Sequence, residues 1–269
     1  QKRGQRQVVR WKPAAFHPSL APGRRFRVVR ELPPRAAILD RDGHAITKER
    51  NVVRVKVDPA KVTDQGYAAL QRHLGLDAAA LRKKVAAARE STSDPTPGQE
   101  STLVPAITVR EAVWANIAGH LRGLPGIVAE NGTMSLGPTS SFARGIIGHL
   151  GTADGDDAAA LLDDAGPSFL PTDEIGLSGL QRAFQRELAG RPGGRIELYE
   201  PATGDITHRL VEMKPRAGTP VKTTLSLEIQ TAAESAVVGA KKPTAVVAVR
   251  SSTGEILAAA GGPGVTPFN

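Results

Sequence analysis

The chain has 269 residues with 28 Gly, 20 Pro and only 4% aromatics, so its cores must be built from Val, Leu, Ile and Ala, in two domains or one extended domain with a satellite. The absence of cysteine excludes disulfides, thiolate nucleophiles and Cys-based zinc sites together. A net charge of +8 points to an anionic partner or, since Arg far outnumbers Lys, to GC-rich codons.

No stretch approaches the ~18 apolar residues of a membrane span. No signal peptide opens the chain, and Gln1 is not a natural start residue, so a preceding segment is expected. "GQRQVVRWKPAAFHPSL" and "RRFRVVREL" predict two strands flanking a Pro-rich turn near Pro18 and Pro22. "VVRVKVDP" (Val52–Pro59) alternates apolar and polar residues and predicts a half-buried strand. Helices are expected at Asp64–Leu74 and Asp77–Arg89, the second capped by Asp77. The polar Pro/Gly stretch Glu90–Ser101 reads as a mobile loop. Thr108 and Glu111 form a capping box ahead of an apolar run. A strand near Gly126–Glu130 and short helices near Phe142–Leu150 and Asp156–Asp164 follow. "LSGLQRAFQRELAG" repeats the capping logic with Ser178 and Gln181 and ends at Gly190. "GRIELYEPATGDITHRLVEM" predicts a hairpin turning at Ala202–Gly204. In "SLEIQTAAESAVVGA" Ile229, Ala232, Ala233, Ala236 and Val237 share one helical face. Val246–Val249 and Ile256–Ala260 should then pair antiparallel across the turn Ser251–Gly254, with that helix packed on them and an apolar face left exposed. Strands and helices without a regular β–α–β rhythm argue α+β.

Few residues read as chemistry. The six His residues (His17, His44, His73, His120, His149, His208) are scattered, and no pair has metal-ligand spacing on a helix. His120 and His149 sit near predicted helix ends, where a favourable interaction with the helix C-terminus explains them better than catalysis. "DRDG" (Asp40–Gly43) opens like a calcium loop but lacks the later ligands, and "DGDD" (Asp154–Asp157) reads as a solvated helix start. "GRPGGR" (Gly190–Arg195) is a connector before it is a phosphate site. The basic segment "QKRGQRQVVRWK" could grip nucleic acid with Trp11 stacking on a base, but the remaining Lys and Arg are dispersed and no nucleic-acid motif accompanies it.

The order of segments is more telling. "RFRVVRELPPRAAILDRDGHAIT" resembles the R-G-x-I-x-D-R-x-G-x-x-L-A opening of the non-catalytic module of class B penicillin-binding proteins. "IGLSGLQRAFQRELAGRPG" is similar to that family's G-x-x-G-L-E segment, and "VKTTLSLEIQTAAESAV" to its T-T-(I/L)-D-x-x-(L/I)-Q-x-x-A-E segment. The closing "AVVAVRSSTGEILAAAGGPGVTPFN" resembles the first two transpeptidase strands. "VRWKPAAFHPSL" resembles the exit from the NTF2-like domain of the methicillin-resistance-type subgroup. Ala36 stands where the family usually has Gly, and Gln181 where it usually has Glu; R-x-Y-P-x-G is barely visible around Glu130–Pro138.

The resemblance implies an α+β fold. Residues 1–30 would be the C-terminal strands of an NTF2-like domain, 31–218 an elongated pedestal (dimerisation-type) module, and 219–269 the start of a transpeptidase domain. The site residues it implies are structural: Arg35, Asp40, Arg41 and Gly43 in the first motif, Gly179 and Gln181 in the later one. Arg35 would reach Gln181, which also reads as a cap. In the family a Ser-x-x-Lys, a Ser-x-Asn and a Lys-Thr-Gly build the nucleophilic site. None occurs here, and Lys222-Thr223-Thr224 is not the third, so no catalytic residue, metal or cofactor is expected in this chain. The expected role is to position a transpeptidase domain for cell-wall synthesis and to contact division or cell-wall proteins, with peptidoglycan as a possible further contact and no nucleic acid. The parent is expected at the extracytoplasmic face of the cell membrane, anchored by an N-terminal segment. The alternatives are a stand-alone extracytoplasmic binding or scaffold module, a scaffold with a degenerate catalytic half, and a basic nucleic-acid binder.

Overall fold

The computed structural model describes residues 12–90, 103–153 and 157–262, together with the backbone of residues 2–3, 6–7 and 91. The strand expected through Val8–Trp11, the loop expected at 92–101 and the first three residues of "DGDD" lie outside the described residues. β1 (Lys2–Arg3) and β2 (Arg6–Gln7) pair antiparallel, a 3-10 turn covers Pro13–Ala15, and β3 spans Arg25–Glu31. Next come β4 (Ile38–Leu39), β5 (Lys48–Val57), α1 (Asp64–Leu74), α2 (Ala78–Ser91), β6 (Val104–Arg110), α3 (Glu111–Leu121) and β7 (Ile127–Leu136). Then follow α4 (Arg144–Ile147), β8 (Leu150–Thr152), α5 (Ala158–Ala165), β9 (Glu174–Gly176), α6 (Gly179–Ala183) and α7 (Gln185–Ala189). The last elements are β10 (Gly193–Tyr199), β11 (Ile206–Met213), β12 (Val221–Lys222), α8 (Leu227–Val237), β13 (Ala245–Val249) and β14 (Ile256–Gly261). Among the described residues every strand pair is antiparallel except β4 with β12, an α+β arrangement.

The chain divides into two compact units, Lys48–Leu136 and the combination of Gln1–Thr47 with Gly137–Asn269. In Lys48–Leu136, β5 lies between β6 and β7. Its alternation sends Val53, Val55 and Val57 to one side, where Tyr67, Leu70, Leu81, Val85, Trp114 and Leu121 complete a core. The opposite side carries Arg54 and Lys56 beside the buried Val52, and Lys56 pairs with Glu130 at 2.6 Å. Thr63 caps α1 by accepting from the Gly66 N–H, and Gly75 ends it at φ 67°. Asp77 caps α2 as expected, accepting from Ala79 and Ala80. The Thr108–Glu111 capping box does not form. Thr108 is inside β6 opposite Arg54, because pairing with β5 satisfies its backbone, and α3 begins only at Glu111.

In the second unit, β10 pairs with β3 on one side and β11 on the other. β3 crosses the expected boundary at residue 30 and pairs along its length with β10, from Arg25↔Tyr199 to Glu31↔Gly193. Ile38, Ile46, Phe142, Ile147, Leu188 and Leu225, far apart in sequence, form one core; Leu161, Ala165, Phe169, Ile175 and Ala189 form another. β13 and β14 make the expected hairpin, and α8 packs across it through Ala233 and Val237 against Ala258 and Ala260. The buried face of α8 is Gln230, Ala233 and Val237: of the predicted stripe Ala233 and Val237 are buried, while Ile229, Ala232 and Ala236 are exposed. The reason is polar: Gln230 pairs with the Ala259 backbone, its Nε2 donating to Ala259 O (3.0 Å) and its Oε1 accepting from Ala259 N (2.8 Å).

Candidate functional site

Arg35 follows Pro33 and Pro34, which hold the chain extended and out of a helix. α6 and α7 are separated by Phe184 (φ −114°, ψ 32°), yet Gln181 and Gln185 remain on one side, four residues apart. The half-buried Arg35 guanidinium uses all three nitrogens there. Nε donates to Gln181 Oε1 (2.7 Å), Nη1 to Gln185 Oε1 (2.7 Å) and Nη2 to Gln181 O (2.8 Å). Among the described residues no carboxylate stands at ion-pair distance. Burial lowers the Arg35 pKa to about 10, still charged at neutral pH. Gln185 Oε1 also accepts from the Gly176 N–H (2.8 Å), which fixes the orientation of the amide.

Gly179 opens α6 at φ 56°, and a Cβ there would collide with the Ile146 carbonyl and the Gly148 backbone, so glycine is required for both reasons. Ser178 precedes α6 but does not cap it. Its Oγ instead accepts from the His149 N–H (3.2 Å) and lies 2.8 Å from His149 Nδ1, because the left-handed turn at Gly179 carries it away from the helix N–H groups. Burial and the charge of Arg144 push the His149 imidazole below its ordinary pKa. Among the described residues no third group is hydrogen-bonded to the His149 ring.

The other motif residues gather around β4. Asp40 is buried; its Oδ1 accepts from the N–H groups of Asp42 (2.9 Å) and His44 (2.7 Å), and His44 Nδ1 lies 3.4 Å from Oδ2. Burial raises this carboxyl, and the two backbone donors with His44 more than offset it, so the net shift is downward. Gly43 turns the loop at φ 91° with open space around it. The Arg41 N–H donates to Leu225 O (2.8 Å), and its guanidinium lies 4.0 Å from Glu255. The structure therefore brings Arg35, Gly179 and Gln181 together and keeps Asp40, Arg41 and Gly43 in a second group facing the α8 segment.

Sequence reasoning missed several partners. Thr223 Oγ1 donates to Leu39 O (2.8 Å), and Thr224 Oγ1 to Ile256 O (2.7 Å), tying the α8 segment to β4 and β14. Glu234 Oε1 accepts from the Ala143 N–H (2.8 Å). Gln185 could have been read from its four-residue spacing to Gln181. Glu197, on β10, is 0% exposed, covered by arginines rather than by a core. Arg27 Nη2 reaches it at 2.9 Å, Arg195 Nε at 2.6 Å and Arg209 Nε at 3.7 Å; Arg195 also pairs with Glu31. The hydrogen bonds from Arg27 and Arg195 hold the Glu197 carboxyl below its usual range, although burial opposes them.

This arrangement interlocks the segments that carry Arg35, Gly179 and Gln181 through side-chain and backbone hydrogen bonds. A family model described as the Penicillin-binding Protein dimerisation domain matches residues 30–223. The chain belongs to that family. It is 27% identical over 249 residues to the peptidoglycan D,D-transpeptidase MrdA of Escherichia coli (strain K12), covering 90% of this chain and 37% of that protein. It is 21% identical over 262 residues to penicillin-binding protein 3 of Bacillus subtilis (strain 168), covering 96% of this chain and 36% of that protein. The chain thus spans just over a third of the length of these relatives. Among solved structures, the complex between penicillin-binding protein PBP2 and MreC from Helicobacter pylori aligns with a TM-score of 0.53 and 16% identity, over 89% of this chain and 43% of that one; this likeness concerns the fold.

Proposed function

We propose that the chain is the non-catalytic N-terminal part of a peptidoglycan D,D-transpeptidase, positioning a catalytic domain during cell-wall synthesis. The observation that carries this reading is the set of bonds between the first motif and the α8 segment. Leu39 O accepts from Thr223, the Arg41 N–H donates to Leu225 O, and Arg41 faces Glu255. These bonds fix the orientation of α8 and the β13–β14 hairpin relative to β4, which is what a pedestal needs at the root of the domain it carries. In this reading residues 31–218 are the pedestal, 219–269 the first part of a transpeptidase fold, and 1–30 the end of an NTF2-like domain of the methicillin-resistance-type subgroup. Arg35, Asp40, Arg41, Gly43, Gly179 and Gln181 are its structural residues. The parent is anchored in the cell membrane with this part outside. Its partners are cell-wall synthesis or division proteins, with peptidoglycan as a further contact and nucleic acid excluded; the MreC bound to the Helicobacter pylori neighbour supports partners of that kind.

The chain should not be acylated by β-lactams, since an acyl-enzyme needs a nucleophile beside a base and no Ser-x-x-Lys occurs. Incubation with a fluorescent penicillin followed by a denaturing gel is expected to give no covalent band. A labelled band abolished by excess unlabelled penicillin overturns the reading.

A further inference from the structure

The loop after β4 gathers three metal-ligating side chains. Asp42 and His44 flank the turn at Gly43, and with Asp40 each offers a ligand atom; these three atoms lie within 4.8 Å of one another. They line an open cavity of about 570 Å³ whose other wall is the first half of α8, where Glu228 stands. Asp40 shows that the cluster suits a cation. Its side chain is 3% exposed. Oδ1 accepts from the Asp42 and His44 N–H groups, but among the described residues no hydrogen bond reaches Oδ2. A buried carboxylate oxygen without a donor is costly. His44 Nδ1 stands 3.4 Å from it, beyond the ~2.7–3.2 Å of an N–H···O bond. That separation is the edge of a metal tetrahedron: ligand atoms ~2.0–2.2 Å from zinc stand about 3.3–3.6 Å apart.

We propose that Asp40 Oδ2, an Asp42 carboxylate oxygen and His44 Nδ1 bind Zn²⁺, with water or Glu228 completing its coordination. The imidazole selects the metal. Ca²⁺ and Mg²⁺ take oxygen ligands, whereas an imidazole beside carboxylates suits Zn²⁺. The calcium-like opening of the loop lacks its later ligands, and His44, directly after Gly43, supplies a nitrogen instead. Charge favours the same ion: among the described residues none of Asp40, Asp42 and Glu228 has a Lys or Arg at ion-pair distance, so a dication meets uncompensated carboxylates. Asp42 and His44 are exposed and can turn towards Oδ2 while the buried Asp40 stays fixed. The bound ion fastens this loop beside α8, next to the bond from the Arg41 N–H to Leu225 O. The inference rests on this cluster and does not depend on the proposed transpeptidase role.

The test is calorimetric titration of the chelator-treated chain with zinc chloride, against calcium and magnesium chloride. Zinc should fill one strong site per chain and bind at least about tenfold more tightly than either of the others. His44→Ala and Asp42→Asn leave the backbone donors to Asp40 in place, and each should weaken zinc binding by about tenfold or more. If one of the two fails to fold, the other decides. Glu228→Gln should weaken it by a smaller factor. Zinc should also raise the melting midpoint of the parent, and not that of H44A. The stacked rings of His73 and His120, with centroids 4.4 Å apart, are the competing pair of imidazoles. The inference is overturned by no zinc binding at millimolar concentration, by calcium or magnesium binding as tightly, or by binding that survives unchanged in both H44A and D42N. It is equally overturned if His120→Ala abolishes the strong site while H44A keeps it.

Discussion

Arg35 and Glu197 lie in the same unit and are housed in opposite ways. Arg35 is a cation among amide and carbonyl oxygens, with three donors used and, among the described residues, no anion beside it. Glu197 is an anion with three guanidinium groups around it, of which Arg195 also pairs with Glu31 and Arg209 with Glu212. Desolvation lowers the Arg35 pKa, while the arginines lower that of Glu197. The first group is held in place by geometry at some electrostatic cost; the second is held by charge on a surface-facing sheet. Removing Arg35 should therefore disrupt packing at any pH, and removing Glu197 should chiefly alter how stability depends on acid.

The larger effect is expected from Arg35→Ala. The bonded Gln181 and Gln185 are each only 2% exposed, so the oxygens left behind are slow to find water. Relief of the desolvated charge offsets part of the loss, and a net cost on the order of 1–3 kcal/mol remains. Denaturant melts at neutral pH test this. A midpoint matching the parent would show that the three bonds carry no net stability.

Glu197→Gln should act more gently, because Arg27 and Arg209 are half-exposed and can turn to water. Its signature is in the pH profile. The folded carboxyl titrates below the unfolded value of about 4.3, so Glu197 contributes stability above that value and loses it as pH falls through the folded pKa. Stability of the parent should therefore drop on acidification more steeply than that of the variant, by melting from pH 6 to pH 2. Parallel profiles would mean that the arginines do not hold the carboxylate.

What the sequence made legible was mostly local. β5 and the β10–β11 hairpin follow from alternation and turn chemistry, and α2 from its Asp77 cap, because each is decided within a dozen residues. The Arg35–Gln181 bond joins residues 146 apart, which no spacing rule reaches; only the order of family motifs suggested it. Thr108 shows a different limit. T-x-x-E describes a helix start and also the end of a strand followed by one, and pairing with β5 decided between them. In α8 an apolar-stripe reading cannot place a glutamine at the centre of a buried face, so Gln230 shifted the true stripe away from Ile229. Glu197 was invisible for a related reason: its burial is by arginines from two neighbouring strands and from its own.

The smallest effect is expected from restoring the carboxylate that the family pattern usually carries, Gln181→Glu. The side chain keeps its shape, and one carboxylate oxygen takes the place of the amide oxygen 2.7 Å from Arg35 Nε. At neutral pH two terms oppose each other. The new ion pair gains Coulomb energy in a poorly solvated place, and a carboxylate at a position 2% exposed must be stripped of water. For well-formed buried pairs these terms nearly cancel, so stability should stay within about 1 kcal/mol of the parent at pH 7. The pH dependence is more decisive than the magnitude. Arg35 beside it should hold the new carboxyl below the ordinary value of about 4.3, so any gain is present above that pH and disappears as pH falls through the depressed folded value. Melts of parent and variant at pH 7 and pH 3 read this directly: the difference between them should move against the variant in acid. If the variant is instead several kcal/mol weaker at pH 7 and recovers in acid, the pocket accepts only a neutral oxygen there, and Gln181 is a matched neutral replacement for the family's usual Glu.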